Sequence, residues 1–465
     1  MGNKRAVVIL AAGQGKRMRS DLPKVLHPCA GLPLIGHMVE KALKLKASSI
    51  VVVVSPKDKR VEAWLRATYA QANLVFAPQP QPLGTGDALK CALKAVAKFS
   101  GEVLVMCGDT PLLGQTTLNA LMRRAQGKNL ALLSTELENP HGYGRIIRDG
   151  TSAREIIEEK DATKSQKTIR EINAGVYVAQ SAWLRAALKK LRRSNAQGEY
   201  YLTDIVALAA KTGPVGILKA KDSHEMLGIN TSAHLQEVEA IFREKLIAGH
   251  QAKGVVFRDP NNTFLDAQVK LAKGTVVGVG VQIYGESTIG ADAHIDGPTF
   301  IKDSTIAAGA SIHSFSHLEG AKVGKGASVG PYGRLRTGAV LDEGAKVGNF
   351  VELKKTRLGK GAKANHLAYL GDSVIGEKSN VGAGTITCNY DGGPVKHQTR
   401  LGENVFIGSN STLVAPVDLQ DGVFVAAGST ITQSVEKDSL AFGRARQSNR
   451  KGYAKSLRKK IKEGR

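Results

Sequence analysis

From Leu271 to Ile431 the chain keeps one beat, an aliphatic residue at every sixth position. Leu271, Val277, Ile283, Ile289, Ile295 and Ile301 stand strictly six apart. After a step of five the beat resumes as Ile306, Ile312 and Leu318, then as Val323, Val329 and Leu335. It continues through Leu341, Val347, Leu353, Leu358, Ala364, Leu370, Ile375, Val381 and Thr387. An irregular stretch follows, and the beat returns as Leu401, Ile407, Leu413, Leu419, Val425 and Ile431. Helices repeat near 3.6 residues and strands at 2, so neither alone explains this period. A hexad fits a chain that sends one aliphatic side chain inward from each short strand and then turns a corner. Gly often follows the aliphatic residue, as at Gly278, Gly290, Gly348 and Gly408, where a tight bend favours a residue without Cβ.

Three hexads make a coil of about 18 residues, and stacked coils bury a continuous aliphatic column. The stretch would hold roughly nine coils about 4.8 Å apart, a prism about 40 Å long. A β-sandwich is the alternative, but six residues are too few for a sandwich strand plus its turn. The expected architecture of this half is a parallel β-helix. The usual crossover rule would make its coils right-handed. The pattern, however, resembles the hexapeptide-repeat acyltransferases, and that resemblance implies a left-handed prism.

With 465 residues there is room for two or three domains. Aromatics make up only 5%, as a core of stacked Ile, Val and Leu requires. Cys29, Cys91, Cys107 and Cys388 are widely spaced and form no CxxC pair. That argues for a reducing compartment and against a disulfide framework or thiolate metal site. The apolar run Ala6–Ala12 is too short for a signal peptide, and no stretch could span a bilayer. A cytoplasmic protein is expected. The net charge is +24, and residues 444–465 contribute ten Lys or Arg against one acid. Such a tail can bind nucleic acid or an anionic surface. Its single aromatic, Tyr453, favours a solvated helix or disordered end, so no nucleic-acid partner is expected. The remaining positive charge suits anionic small substrates.

The first half reads differently. Ala6–Ala12 looks like a buried parallel strand that runs into Gly13-Gln-Gly-Lys-Arg17-Met, followed by Pro23-Lys24. Met18 breaks a dinucleotide fingerprint and no Walker A motif is present. Glycines directly after a first strand still expose backbone N–H groups, and Arg17 and Lys24 add charge, so the loop is a polyphosphate cradle of another type. Strands at Ile50–Ser55, Leu74–Phe76 and Val103–Met106 alternate with helical stretches, which predicts a doubly wound, Rossmann-like α/β domain. Gln79 and Leu83-Gly84-Thr85-Gly86 precede a helix and could close over a flat base. Cys107-Gly108-Asp109 ends a strand at the ligand-binding edge, where a carboxylate could share a hard cation with phosphate.

In order along the chain, these motifs resemble the nucleotide-sugar pyrophosphorylases. Gly142-Tyr-Gly-Arg145, Glu158, Glu171-Ile-Asn-Ala-Gly175 and Ile229-Asn230 continue the series. Joined to a hexad domain, the whole chain up to its basic tail resembles the family of bifunctional N-acetylglucosamine-1-phosphate uridyltransferase/glucosamine-1-phosphate N-acetyltransferases. The resemblance implies that Leu10, Ala11, Ala12, Gly13, Arg17, Gln79, Gly84, Thr85, Cys107 and Gly108 line the UTP site, with Lys24 on phosphate. It implies that Gly144, Glu158 and Asn173 hold the N-acetyl sugar and that Asp109 and Asn230 carry Mg²⁺. Asp87 departs from the family pattern, which has His or a small residue after the Gly-Thr-Gly loop.

The helical period of Leu235, Val238, Ile241 and Leu246 marks a connector. The expected domains are therefore 1–230, a connecting helix 231–250, a β-helix 251–437 and a tail 438–465. Where the hexad beat breaks, chemistry is expected, because packing alone would keep time. The longest break holds Cys388-Asn389-Tyr390-Asp-Gly-Gly-Pro394, a loop thrown out from its coil. Upstream stand Arg334-Leu-Arg336, Glu352-Leu-Lys354, and Asn365-His366 with Tyr369. Coil spacing stacks Arg336, Lys354 and the His366 region along one side. The resemblance implies that His366 is the general base that frees the amine of glucosamine-1-phosphate to attack acetyl-CoA. By the same resemblance Arg336 and Lys354 grip the sugar phosphate, Tyr369 and Asn380 the sugar, and Glu352 supports the site. Acetyl-CoA would lie along Ala383, Asn389, Tyr390, Ser409, Ala427 and Arg444, between subunits of a homotrimer. Two rivals remain: a zinc enzyme using three of His294, His313, His317, His366 and His397, and a regulatory subunit of the same build without catalysis.

Overall fold

The computed structural model describes residues 4–13 and 15–464, and the chain divides into two compact units, Met1–Lys245 and Leu246–Arg465. In the first unit the apolar runs form a mostly parallel sheet. Its strands are β1 (Arg5–Leu10), β2 (Ser49–Val54), β3 (Leu74–Pro78), β4 (Glu102–Cys107), β5 (Leu130–Glu136), β6 (Arg145–Asp149), β7 (Ser152–Ile157), β8 (Glu171–Gln180) and β9 (Gly216–Lys219). The spatial order is β9-β5-β8-β4-β1-β2-β3, with the β6–β7 hairpin joined to β8. Only β8 runs against its neighbours along that path.

Alternate residues of β1 serve two cores. Val7 and Ile9 pack with helices Leu34–Lys44 and Gln115–Arg124, while Val8 faces the helix Thr85–Ala95. That is why the strand is apolar throughout rather than alternating. Strand order reverses between β1 and β4, so their carboxyl ends, Leu10 and Cys107, flank the crevice where open α/β sheets take ligands. A helix spans Ser232–Gln251, and the division between the two units falls within it. Its Leu235, Val238, Ile241 and Phe242 pack with Met18, Cys29, Leu34 and Ile229 of the first unit.

The second unit is a three-sided parallel β-helix with sheets of 11, 10 and 9 strands. Every aliphatic of the hexad points inward, and none exceeds 6% exposure. Ile283 pairs with Ile301 and Ile289 with Ile306, offsets of 18 and 17 residues that reproduce the occasional step of five. Across the irregular stretch Ile375 still pairs with Leu401, an offset of 26, so residues 389–398 leave the coil without breaking its register. The ladder begins earlier than its clear rhythm, with Phe257 and Leu265 buried, and ends later than residue 437, at Leu440–Ala441 paired with Phe424–Val425.

Two features of the repeat lie beyond the six-residue beat. A second inward column stands two residues before the aliphatic one, occupied by small side chains such as Ala293, Ala310, Ala327, Ala345 and Ala362, all fully buried. Where Ser or Thr takes that position the hydroxyl commonly donates to backbone, as from Ser287 to Tyr284 O (2.7 Å) and Ser411 to Gly408 O (2.7 Å); the buried Thr399 hydroxyl is an exception and has no partner. Apart from Gly330, whose φ is +93°, the glycines after the aliphatic residues keep φ outside the left-handed region and do not serve the tight bends the sequence suggested. A Cβ on Gly348 would sit 2.1 Å from Asn365 O, and one on Gly408 2.4 Å from Ala427 N. The next coil's backbone, rather than local turn geometry, excludes a side chain there.

No helix among the described residues is long and apolar enough to cross a membrane. Because Ile312 is fully enclosed, Ile312→Ala is expected to lower the unfolding free energy of the prism by about 2–5 kcal/mol. Its neighbour Ser311→Ala should stay within about 0.5 kcal/mol. Urea titration followed by circular dichroism measures both.

Candidate active sites

In the first unit a cleft of about 260 Å³ opens at the carboxyl ends of β1 and β4. Leu10, Ala11, Ala12, Gly13, Lys24, Gln79, Gly84, Thr85, Cys107 and Asp109 line it, joined by Val25, Pro82, Ala88 and Glu199. The turn after β1 explains why glycine recurs there. Gly15 has φ +58°, and a Cβ on it would come 2.6 Å from Lys24 Cβ, so only Gly lets the loop close over that lysine. Gly84 has φ +109°, with Tyr200 O 2.6 Å from where a Cβ would lie.

Lys24 Nζ is the electrostatic centre of the cleft. It donates to Asp109 Oδ2 at 2.5 Å and to Asn230 Oδ1 at 3.2 Å, and Arg17 also donates to Asn230 Oδ1 at 3.1 Å. A carboxylate and an amide oxygen therefore already converge on one cationic atom. That donor set suits Mg²⁺, which takes one or two protein oxygens and completes its shell with phosphate and water.

Gly144, Glu158 and Asn173 form a second group. Asn173 N donates to Gly144 O at 2.9 Å, and a Cβ on Gly144 would lie 3.4 Å from Glu158 Oε2. The Asn173 amide is held by Tyr177 Oη (2.7 Å) and Gly175 N (3.0 Å). Thr203 donates to Glu158 Oε1 at 3.0 Å, yet burial outweighs that bond, and the Glu158 carboxyl is raised above its ordinary range. Burial, with Asp109 nearby, pushes the Cys107 thiol up to about 12, so this cysteine is an inert wall rather than a nucleophile.

In the prism, Arg336 and Lys354 line a pocket of about 240 Å³ together with Arg334, Lys355, His317 and Glu319. Glu352 accepts from Arg336 at 3.0 Å. Of the last four lining residues, only Glu319 was not singled out in the sequence; Arg334, Lys355 and His317 were noted there without being placed in this pocket. Arg334 and Arg336 flank the inward Leu335, so strand alternation was the available signal. His366 is not stacked over Arg336 and Lys354 as coil counting suggested. It ends the strand Lys363–His366 of the 11-stranded sheet, whereas Glu352–Lys354 and Tyr369–Gly371 belong to the 10-stranded sheet, around one corner.

That corner orders the remaining positions. His366 pairs with Asn349. Extending the register of Lys363↔Asn380, Asn380↔Phe406 and Phe406↔Phe424 puts Ala383, Ser409 and Ala427 in the same column on successive coils. Asn410 N donates to Ala383 O at 2.7 Å and Gly428 N to Ser409 O at 2.8 Å, which ties the column together. Arg444 Cδ lies 3.8 Å from a Cβ placed on Gly428, at the column's far end. Asn380 begins its own strand on this sheet. The 389–398 loop is pinned at its base by buried Asn389, which donates to Asp372 Oδ2 at 2.5 Å, while Tyr390 is exposed with Lys396 Nζ 3.4 Å from its ring centroid. Beside the column runs an exposed apolar ridge of Phe315, Tyr332, Phe350 and Leu367, the three rings stacked at 4.9 and 5.0 Å.

The prism histidines are engaged separately. His313 bonds Asp296 and Ser328, His397 bonds Asp391, and His317 stacks on Phe300. Among the described residues no group of three or more His, Cys, Asp or Glu could hold a metal ion.

Comparison with known proteins matches a MobA-like NTP transferase domain over residues 7–200 and a hexapeptide repeat of succinyl-transferase over residues 398–433. The second match agrees with a left-handed parallel β-helix, against the general crossover rule. Proteins described as bifunctional protein GlmU match almost end to end. That of Geotalea uraniireducens is 41% identical, covering 98% of this chain and 100% of its own length. Those of Sorangium cellulosum and Stutzerimonas stutzeri are 44% and 45% identical, covering 98% and 97% of this chain and 97% and 99% of their own lengths.

A raised folded-state carboxyl binds its proton more tightly than the unfolded chain does, so stability falls as pH rises above the ordinary value of 4.5. Glu158→Gln removes that charge. Its melting temperature is expected to exceed wild type at pH 8, with the gain disappearing below pH 4.5, as differential scanning calorimetry across pH would record.

Proposed function

Since this chain belongs to the GlmU family of bifunctional proteins, we propose that its two reactions divide between its two units and that the residues described above carry them. The chain is an enzyme of UDP-N-acetylglucosamine synthesis. Acetyl moves from acetyl-CoA to glucosamine-1-phosphate, and UMP then moves from UTP to N-acetylglucosamine-1-phosphate with release of pyrophosphate.

The uridylyl site is the β1/β4 cleft. UTP lies against Leu10–Gly13 with its base toward Gln79, Gly84 and Thr85, and its phosphates meet Arg17 and Lys24. Gly144, Glu158 and Asn173 hold the N-acetyl sugar so that its phosphate oxygen faces the α-phosphorus in line with departing pyrophosphate. Phosphoryl transfer needs little covalent help, so alignment and neutralisation of charge do the work. Asp109 and Asn230 would hold Mg²⁺, which supplies positive charge to the phosphates. The convergence of Lys24, Asp109 and Asn230 within 3.2 Å is the observation that carries this reading.

The acetyl site is the prism corner. Arg336 and Lys354 neutralise the sugar phosphate, and Tyr369 and Asn380 orient the ring. His366 takes a proton from the amine as nitrogen attacks the thioester carbon. The column Ala383, Ser409, Ala427 supports this placement. Three rungs of about 4.8 Å give about 14 Å, enough for a pantetheine arm that starts at His366 and leaves its anionic end near Arg444. A thioester is already activated, so a base and good alignment suffice. The ridge beside His366 favours self-association as a homotrimer, in which a second copy would cover Phe315, Tyr332 and Phe350 and wall the groove. The protein is read as cytoplasmic.

His366→Ala is expected to abolish CoA release with uridylyl transfer unchanged; loss of both activities would contradict separate sites. Asp109→Ala should lower UTP turnover at least about 100-fold and leave acetyl transfer intact. Full Mg²⁺-dependent uridylyl transfer in that variant would refute the ligand assignment. A coupled assay with acetyl-CoA, UTP and glucosamine-1-phosphate, read for the nucleotide sugar by mass spectrometry, tests the overall reaction.

A further inference from the structure

Asp87, the departure in the Gly84-Thr85-Gly86 loop, sits behind a buried cleft residue. Gln79 Nε2 donates to Gly84 O at 3.1 Å and to Asp87 Oδ2 at 2.9 Å. Both partners, a carbonyl and a carboxylate, can only accept. The amide can therefore face them only with its NH₂, and both of its N–H bonds are committed. No hydrogen bond from a described residue ends on Gln79 Oε1, and Oε1 is not among the sealed, unpartnered atoms. Gln79 also lines the nucleotide cleft. Its free polar atom at that wall is thus an acceptor.

We propose that Asp87 is a positioning residue for base selection: it locks the Gln79 amide so that the cleft offers Oε1 to the edge of the base. An acceptor there selects a pyrimidine that carries N3–H, as uracil does. Cytosine presents a lone pair at N3, so it loses that hydrogen bond and sets acceptor against acceptor. Turning the amide over would rescue cytosine by presenting NH₂. The turn would also put Oε1 against both Gly84 O and the Asp87 carboxylate, where the like-signed oxygens repel. The selectivity for uracil is in this way held by a residue that does not itself meet the base.

The inference rests on the uridylyltransferase reading, and the test separates the two. Steady-state uridylyl transfer is measured for the full chain with UTP, 5-methyl-UTP and CTP, for wild type, Asp87→Ala and the isosteric Asp87→Asn, with melting temperatures and acetyl transfer checked for each. Wild type that transfers no UMP from UTP would sink the underlying reading. If wild type prefers UTP, the ratio of kcat/KM for UTP to that for CTP should fall at least about tenfold in Asp87→Ala. It should fall by less in Asp87→Asn. 5-Methyl-UTP, which keeps N3–H, should track UTP. An unchanged ratio in both variants, or an equal loss for all three nucleotides, overturns the proposal.

Discussion

Each coil of the prism makes its backbone hydrogen bonds with the coil above and the coil below, and this requirement governs everything that unit can carry. Parallel pairing at every rung demands that the coils stay in register. The aliphatic column enforces it, because a slip of one residue would turn Ile or Leu out to water. Close backbone approach then excludes side chains at positions such as Gly348 and Gly408. With the interior filled by aliphatics and small corner residues, charge can reside only on the outer faces and corners. Arg336, Lys354 and His366 are outside for that reason.

The first unit solves a different problem. Its sheet buries both faces, so polar chemistry is confined to the strand ends. There Lys24, drawn close by a glycine with positive φ, meets Asp109 from the end of β4 and Asn230 from the segment before the connecting helix. These three come from positions more than 80 and 200 residues apart. Balanced charges keep the cluster compatible with a folded cleft, and anionic phosphates would enter where cation and carboxylate are already poised. Glu158 shows the opposite bias: burial raises its carboxyl above the ordinary range, so ionising it costs stability.

Much of this architecture could be read directly from residue patterns. The hexad identified the inward ladder residue by residue, since a period of six has few solutions, and the strand runs and glycine turn of the first half marked an α/β sheet with its ligand edge. Less legible was the second small-residue column, because Ala and Ser at corners carry no hydropathy signal strong enough to stand out. The glycine rule was assigned to the wrong cause, since inter-coil contact cannot be seen along one coil. Counting coils placed Arg336, Lys354 and His366 on one side, but the count does not register the corner between Asn365 and Tyr369. Glu199 and Val25 at the nucleotide cleft had no local mark at all.

Periodicity, composition and short motifs determined that one half is a stacked β-helix and the other a phosphate-handling α/β unit, because both depend on patterns that repeat or cluster locally in the chain. Tertiary structure alone decided which side chains meet: Lys24 with Asn230, Gln79 with Asp87, His366 in column with Ala383, Ser409 and Ala427. Those meetings depend on strand order and on the register between coils, and distances across space are not written in any local stretch of residues.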